Sequence, residues 1–181
     1  MTVRFYRRDA GAPIPARPAL AVDCEFKAWR PAGDGPPQAG PNAVENWVWF
    51  AFDRVGVFPS HAFEELSVWR GGRMLHRLVA APRWFRFPFM APDDLQIGAL
   101  WTAPDARRAG VATAAMAEVH RRHAAPGRRF WCLVDDGNAA SIRLAEASGY
   151  RLVGTGRRTR PLGISPLGRF LMDGTAEPSG G

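Results

Sequence analysis

Cysteine and lysine are almost missing from this chain of 181 residues. Cys24 and Cys132 are its only cysteines, far apart and outside any Cys-x-x-Cys pair. That excludes a disulfide framework and a cysteine zinc site, and both are expected as buried thiols. Lys27 is the only lysine, so the net charge of +7 rests on arginine. The arginines are scattered and form no basic tail. They read as a solvated surface that draws anionic ligands, and nucleic acid is not expected as a partner. No apolar run reaches the roughly 18 residues of a membrane span. The start, Met1 to Arg8, lacks the apolar core and small-residue cleavage site of a signal peptide, so a cytoplasmic location is expected. There is no Gly-x-Ser-x-Gly and no Walker sequence.

What is present suits one globular domain, with 46% hydrophobic residues available for a core. It is placed at 1–174, with a flexible tail over 175–181. Pro13, Pro15 and Pro18 break any long helix near the start. Leu20 to Trp29 reads as a strand or a short helix. Pro31 to Pro41 is rich in glycine and proline and reads as a loop, with a substrate lid over 31–43 left open. Asn46 to Phe52 alternates Trp47 and Trp49 against Phe50 and Phe52, which predicts a strand. Ser60 to Trp69 and Met74 to Ala81 read as strands joined by a hairpin at Gly71-Gly72. The aromatic block Arg83 to Met90 fits core packing or an apolar acceptor pocket equally well. His120-x-x-His123 has the spacing of two metal ligands, but Arg121 and Arg122 repel a cation, and no metal is expected.

The informative stretch runs from Leu95 to Tyr150. Leu95 to Thr102 is an apolar strand, and Ala103 to Ala106 a turn. Arg107-Arg108-Ala109-Gly110-Val111-Ala112-Thr113 then leads into a helix to about Ala124. A helix start of that kind offers unpaired N–H groups and the positive end of the helix dipole to an anion. Gly110 and Ala112 let a ligand approach the backbone, and the arginines add charge. Trp131 to Val134 reads as the next strand, Ala139 to Ser148 as a helix, and Tyr150 to Gly156 and Gly168 to Asp173 as the last strands.

Arg107-x-x-Gly110-x-Ala112 resembles the pyrophosphate loop of the GCN5-related N-acetyltransferases. Asn138-Ala139-Ala140-Ser141 followed by Gly149-Tyr150 resembles that family's next helix and strand start. The resemblance covers about residues 93–158. It implies an α+β fold: a mixed, mostly antiparallel sheet with helices on both faces and a splayed parallel strand pair. It also implies acyl transfer from acetyl-CoA or another acyl-CoA to the primary amine of a small molecule. Leu100, Trp101 and Thr102 would hold the pantetheine arm. Arg107, Arg108, Ala109, Gly110, Val111, Ala112 and Thr113 would hold the pyrophosphate, with Asn138 and Ser141 beside them.

The family's proton-handling residues do not carry over. Its glutamate base falls on Gln96, and its tyrosine acid falls on Ala145. Asp94, His61 and Glu65 are the candidate bases instead, acting through water. An amino-sugar acceptor is one reading, and an antibiotic-type or other amine is the second. A non-catalytic CoA-binding module is the rival class. A homodimer is left open.

Overall fold

The computed structural model describes residues 2–16, 20–21, 23–37, 43–159 and 168–173. The expected tail, residues 160–167 and residues 38–42 of the possible lid lie outside the described residues.

The chain opens with a strand the sequence did not announce, β1 (Thr2–Asp9). Its alternation is masked because Arg8 points inward. Arg8 is 1% exposed, and its guanidinium donates to the carbonyls of Asp9, Ala12 and Pro13. A buried charge is tolerable only with such partners. Next come β2 (Cys24–Trp29), a short helix α1 (Pro31–Asp34) and a longer one, α2 (Ala43–Arg54). The strand expected over Asn46 to Phe52 is therefore part of a helix. The aromatic spacing satisfies both periods, and packing decides between them. Trp49 and Phe52, three residues apart, meet Phe58 and Trp84, while Val44, Trp47 and Val48 face outward. The loop expected from Pro31 begins with α1, because proline suits a first helical position.

The hairpin of β3 (Glu64–Arg70) and β4 (Arg73–Pro82) turns at Gly71-Gly72 as expected. Then follow β5 (Leu95–Thr102), α3 (Val111–Arg122), β6 (Arg129–Asp135), α4 (Ala139–Ala147), β7 (Arg151–Arg158) and β8 (Phe170–Met172). They complete one eight-stranded sheet, ordered β2-β3-β4-β5-β6-β1-β7-β8. Every neighbouring pair is antiparallel except β5 with β6. The fold is the expected α+β mixture. No helix of the described residues is long and apolar enough to cross a membrane.

Each face of the sheet has its own core. Leu66, Leu78, Ile97, Phe130 and Cys132 pack against Ala115, Met116 and Val119 of α3 and Ala145 of α4. On the other face Phe63, Val79, Trp84, Phe87, Met90 and Trp131 form an aromatic core against Trp49 and Phe52 of α2. The block Arg83 to Met90 thus contributes Trp84, Phe87 and Met90 to packing. Cys132 is buried, whereas Cys24 is only half-buried, at the edge strand β2. β8 approaches β7 so closely that a Cβ on Gly156 would lie 2.0 Å from the Leu171 carbonyl oxygen. Only glycine permits that closure.

Two histidines are buried neutral in the α3-side core. His120 Nε2 meets the Tyr150 hydroxyl at 2.8 Å, and burial lowers its pKa to about 3. His76 Nδ1 meets Thr102 Oγ1 at 2.8 Å, and burial lowers its pKa to about 4. Below the unfolded value of 6.5 the unfolded chain takes up protons that the fold excludes. Their contribution is complete above that value and is lost as pH falls toward 4 and then 3. The slope is at most about 1.4 kcal/mol per pH unit for each histidine. His120→Gln should flatten the fall in urea stability measured between neutral pH and pH of about 4. An unchanged slope in that variant would place the acid sensitivity elsewhere.

Candidate functional site

The parallel pair is short. β5 and β6 are in register only at Leu95–Phe130 and Gln96–Trp131, and then they part. Asp94 clamps the paired end. Its carboxylate accepts from Trp131 Nε1 at 2.8 Å, Ala91 N at 2.9 Å, Arg129 Nε at 3.1 Å and Arg129 N at 3.2 Å. Beyond that clamp β5 carries a bulge. Arg77 faces Trp101 and Val79 faces Gly98, so Ala99 and Leu100 share Leu78 as a partner. Ala99 takes φ of 51°, rare for a residue with a side chain. Bulges re-aim the backbone next to sites, and this one turns Leu100 toward the opening.

The opening is a cavity of about 580 Å³ between the diverging strands. It runs through the sheet. Ile97, Cys132, Met116 and Ala145 line it from the helical face. Leu133, Asp135, Arg158 and Phe170 line it from the aromatic face. A second cavity, also about 580 Å³, adjoins it and shares Leu100, Ser141 and Leu144. Its far wall is the start of α3. Gly110 takes φ of 77° at the N-cap, and no side chain caps the helix. The first N–H groups of α3 therefore border the cavity without an intrahelical partner. Arg107, Arg108 and Arg143 surround it with positive charge.

Of the residues expected to hold an acyl-CoA, Leu100, Trp101, Thr102, Arg107, Arg108, Gly110, Val111, Ala112, Thr113 and Ser141 all line this second cavity. Ala109 does not; its N–H turns back to the Ala106 carbonyl at 3.4 Å. Asn138 lines the first cavity and caps α4, accepting from Ser141 N at 3.1 Å. His76, Arg143, Met116 and Cys132 also line the cavities, although no sequence pattern marked them. His76 comes to the site only because β4 aligns it with Thr102.

The candidate bases lie apart, Asp94 just before β5, His61 before β3 and Glu65 on β3, and none of them lines either cavity. Asp94 is 1% exposed, in the clamp just described. His61 lies outside the cleft walls, largely exposed, with Nδ1 at 3.1 Å from Asp53 Oδ1. Glu65 is buried on β3 beneath α2. Asn46 Nδ2 lies 3.5 Å from its Oε1, and Arg77 Nη1 lies 3.6 Å from its Oε2. Strand register runs Glu65 to Val79 to Gly98, a straight row across the aromatic face to the bulge. Gln96 folds over Gly98, where an added Cβ would lie 2.4 Å from its Nε2. His120 and His123 diverge, to Tyr150 and to Glu64, and no cluster of three or more metal-ligating side chains exists among the described residues.

The model of the acetyltransferase (GNAT) family matches residues 37–150. The chain belongs to this family. Solved structures with the same fold include a tandem GNAT protein of the clavulanic acid biosynthesis pathway. It is 12% identical, with 83% of this chain and 50% of that one covered and a TM-score of 0.53. A GNAT-family protein from Novosphingobium aromaticivorans is 17% identical, with 86% and 62% covered and a TM-score of 0.52. A GNAT acetyltransferase from Colwellia psychrerythraea is 14% identical, with 84% and 53% covered and a TM-score of 0.51. The chain thus spans between half and two thirds of the length of these proteins. No curated protein matches the sequence.

Proposed function

We propose that this GNAT protein is an acyl-CoA-dependent N-acyltransferase, using acetyl-CoA to acylate the primary amine of a small molecule. The observation that carries the reading is the continuous opening from the α3 start, past Leu100, to the aromatic face. The donor set suits the co-substrate. Uncapped N–H groups and three arginines at one end match a pyrophosphate, and the apolar walls of Ile97, Leu100 and Met116 match a pantetheine arm and acyl group.

The Leu100 N–H at the bulge polarises the thioester carbonyl, and the amine arrives from the aromatic face. Its nitrogen forms the new C–N bond as the C–S bond breaks and the thiolate leaves. The amine's proton passes through water to Glu65. What supports Glu65 is its row with Val79 and Gly98; Asp94 is occupied as the clamp, and His61 stands off with Asp53. Holding the amine against the thioester supplies much of the acceleration.

Acetyl-CoA at a hundred times its dissociation constant should stabilise the fold by about 2.7 kcal/mol. A thermal melt with and without acetyl-CoA measures this, and thiol release with a panel of amines measures transfer. Absence of any melting shift or calorimetric binding would sink the reading. Binding without thiol release to any amine would favour a non-catalytic module.

A further inference from the structure

Three arginines line the second cavity without being engaged elsewhere. Arg107 and Arg108 reach it from the loop before α3, and Arg143 from α4. Among the described residues, no ion pair, hydrogen bond or ring contact involves any of their guanidinium groups. The carboxylates close to them in sequence are taken. Asp105 accepts from both terminal nitrogens of Arg73. Glu146, three residues after Arg143 on α4, accepts from the Tyr6 hydroxyl at 3.1 Å. Among the described residues no carboxylate lines this cavity. Arg4, Arg77 and Arg121, by contrast, end on Asp136, Glu45 and Glu118. Like charges gathered without a counter-charge repel one another, and an anion between them relieves that repulsion.

The cations exceed what a pyrophosphate requires. In acyl-CoA the pyrophosphate is a diester, with one negative charge on each phosphorus. Arg107, Arg108 and the α3 start, equivalent to roughly half a positive charge, already offset it. Arg143 is then left for another group.

Its place on α4 distinguishes that group. Ser141 and Leu144 line both cavities, whereas Ala140 and Arg143 line only the second. Residues three apart share a helix edge, so Ala140 and Arg143 mark the edge away from the parted strands. A co-substrate with its acyl group between those strands and its pyrophosphate on α3 has its adenosine end at this outer edge. The remaining anionic group there is the ribose 3′-phosphate, a monoester of about −1.5 to −2 charge at neutral pH. A guanidinium fork suits such a group.

We propose that Arg143 holds the 3′-phosphate of the acyl-CoA, so that the enzyme selects the complete coenzyme over its dephospho form. This deepens the acyltransferase reading and rests on it.

CoA and dephospho-CoA differ by that phosphate alone. Both are titrated calorimetrically at low salt into the parent, Arg143→Gln, Arg143→Lys and Arg151→Gln. The last removes one positive charge from β7, outside both cavities. The parent should bind CoA about 10-fold more tightly than dephospho-CoA. Arg143→Gln should bring that ratio to within about twofold, and Arg143→Lys should keep part of it, since the charge stays and the fork is lost. Arg151→Gln should keep the full ratio. Because Arg143 is exposed, added salt should narrow the gap in the parent. A second arm compares acetyl-CoA with acetyl-dephospho-CoA as donors, and the parent's preference should appear in KM.

Equal binding of the two ligands by the parent overturns the subsite, as does a ratio that survives Arg143→Gln. An equal loss for both ligands in Arg143→Gln puts Arg143 on the pyrophosphate and overturns it too. In all three cases CoA still binds, and the acyltransferase reading stands. If the parent binds neither ligand, that reading falls and the subsite falls with it.

Discussion

Gly110→Asp should reduce acyl-CoA affinity by roughly a hundredfold or more, the largest effect expected of any single change in this chain. Two causes add. Gly110 sits at φ of 77°, where a side chain costs about 1–2 kcal/mol. The new carboxylate also places negative charge at the uncapped start of α3, where a pyrophosphate must meet the backbone. Arg151→Ala is the matched control. Arg151 is exposed on β7, and its 3.4 Å pair with Asp9 is of the surface kind that contributes at most about 1 kcal/mol. Calorimetric titration with CoA should show the first variant crippled and the second like the parent. Melting curves without ligand check that Gly110→Asp remains folded. A Gly110→Asp protein that binds CoA like the parent would move the pyrophosphate to another place.

Asp94→Asn should strike stability before chemistry. The carboxylate serves Trp131 Nε1, Ala91 N and the Arg129 backbone and side chain, and it is 1% exposed. Removing one partner of a buried ion pair costs about 3–5 kcal/mol when the other charge is stranded. Arg129 is one-third exposed, so water relieves part of that loss, and about 2–3 kcal/mol is the expected change. Urea unfolding measures it. The folded enzyme should keep its CoA affinity, and its turnover should fall less than tenfold. A base would behave oppositely, with stability kept and turnover down by about 10²- to 10⁴-fold, restored as pH rises toward the amine's own pKa. Glu65→Gln should show that second behaviour. If Asp94→Asn shows it instead, Asp94 carries the proton and the clamp is secondary.

The parts of the chain that could be read directly are those whose signal is local. β5 occupies Leu95–Thr102, the same bounds its apolar run suggests, because a buried central strand writes its pattern in consecutive residues. The α3 start was legible for a similar reason. Arg107, Gly110 and Ala112 act through backbone geometry within one turn, so their spacing carries the information. Asn138 belongs with them, since a helix cap is decided by its own neighbours.

Tertiary structure decided what depends on distant partners. α2 has aromatic residues compatible with strand and helix, and only contact of Trp49 and Phe52 with Phe58 and Trp84 selects the helix. β1 is recognisable only once Arg8 is seen to have carbonyl partners inside the fold. The same holds for the site. Asp94 and Gln96 stand two residues apart in the sequence, Asp94 just before β5 and Gln96 within it. Yet Trp131 and Arg129, from β6, are what engage Asp94. Arg158 and Phe170 come together because β8 can lie against β7 at Gly156. By itself, the sequence determined the family, the central strand and the uncapped helix start, since each is encoded by near neighbours. Strand register and cross-sheet packing decided where β5 and β6 part and which carboxylate is a clamp. Those choices are made between residues that meet only after the chain has folded.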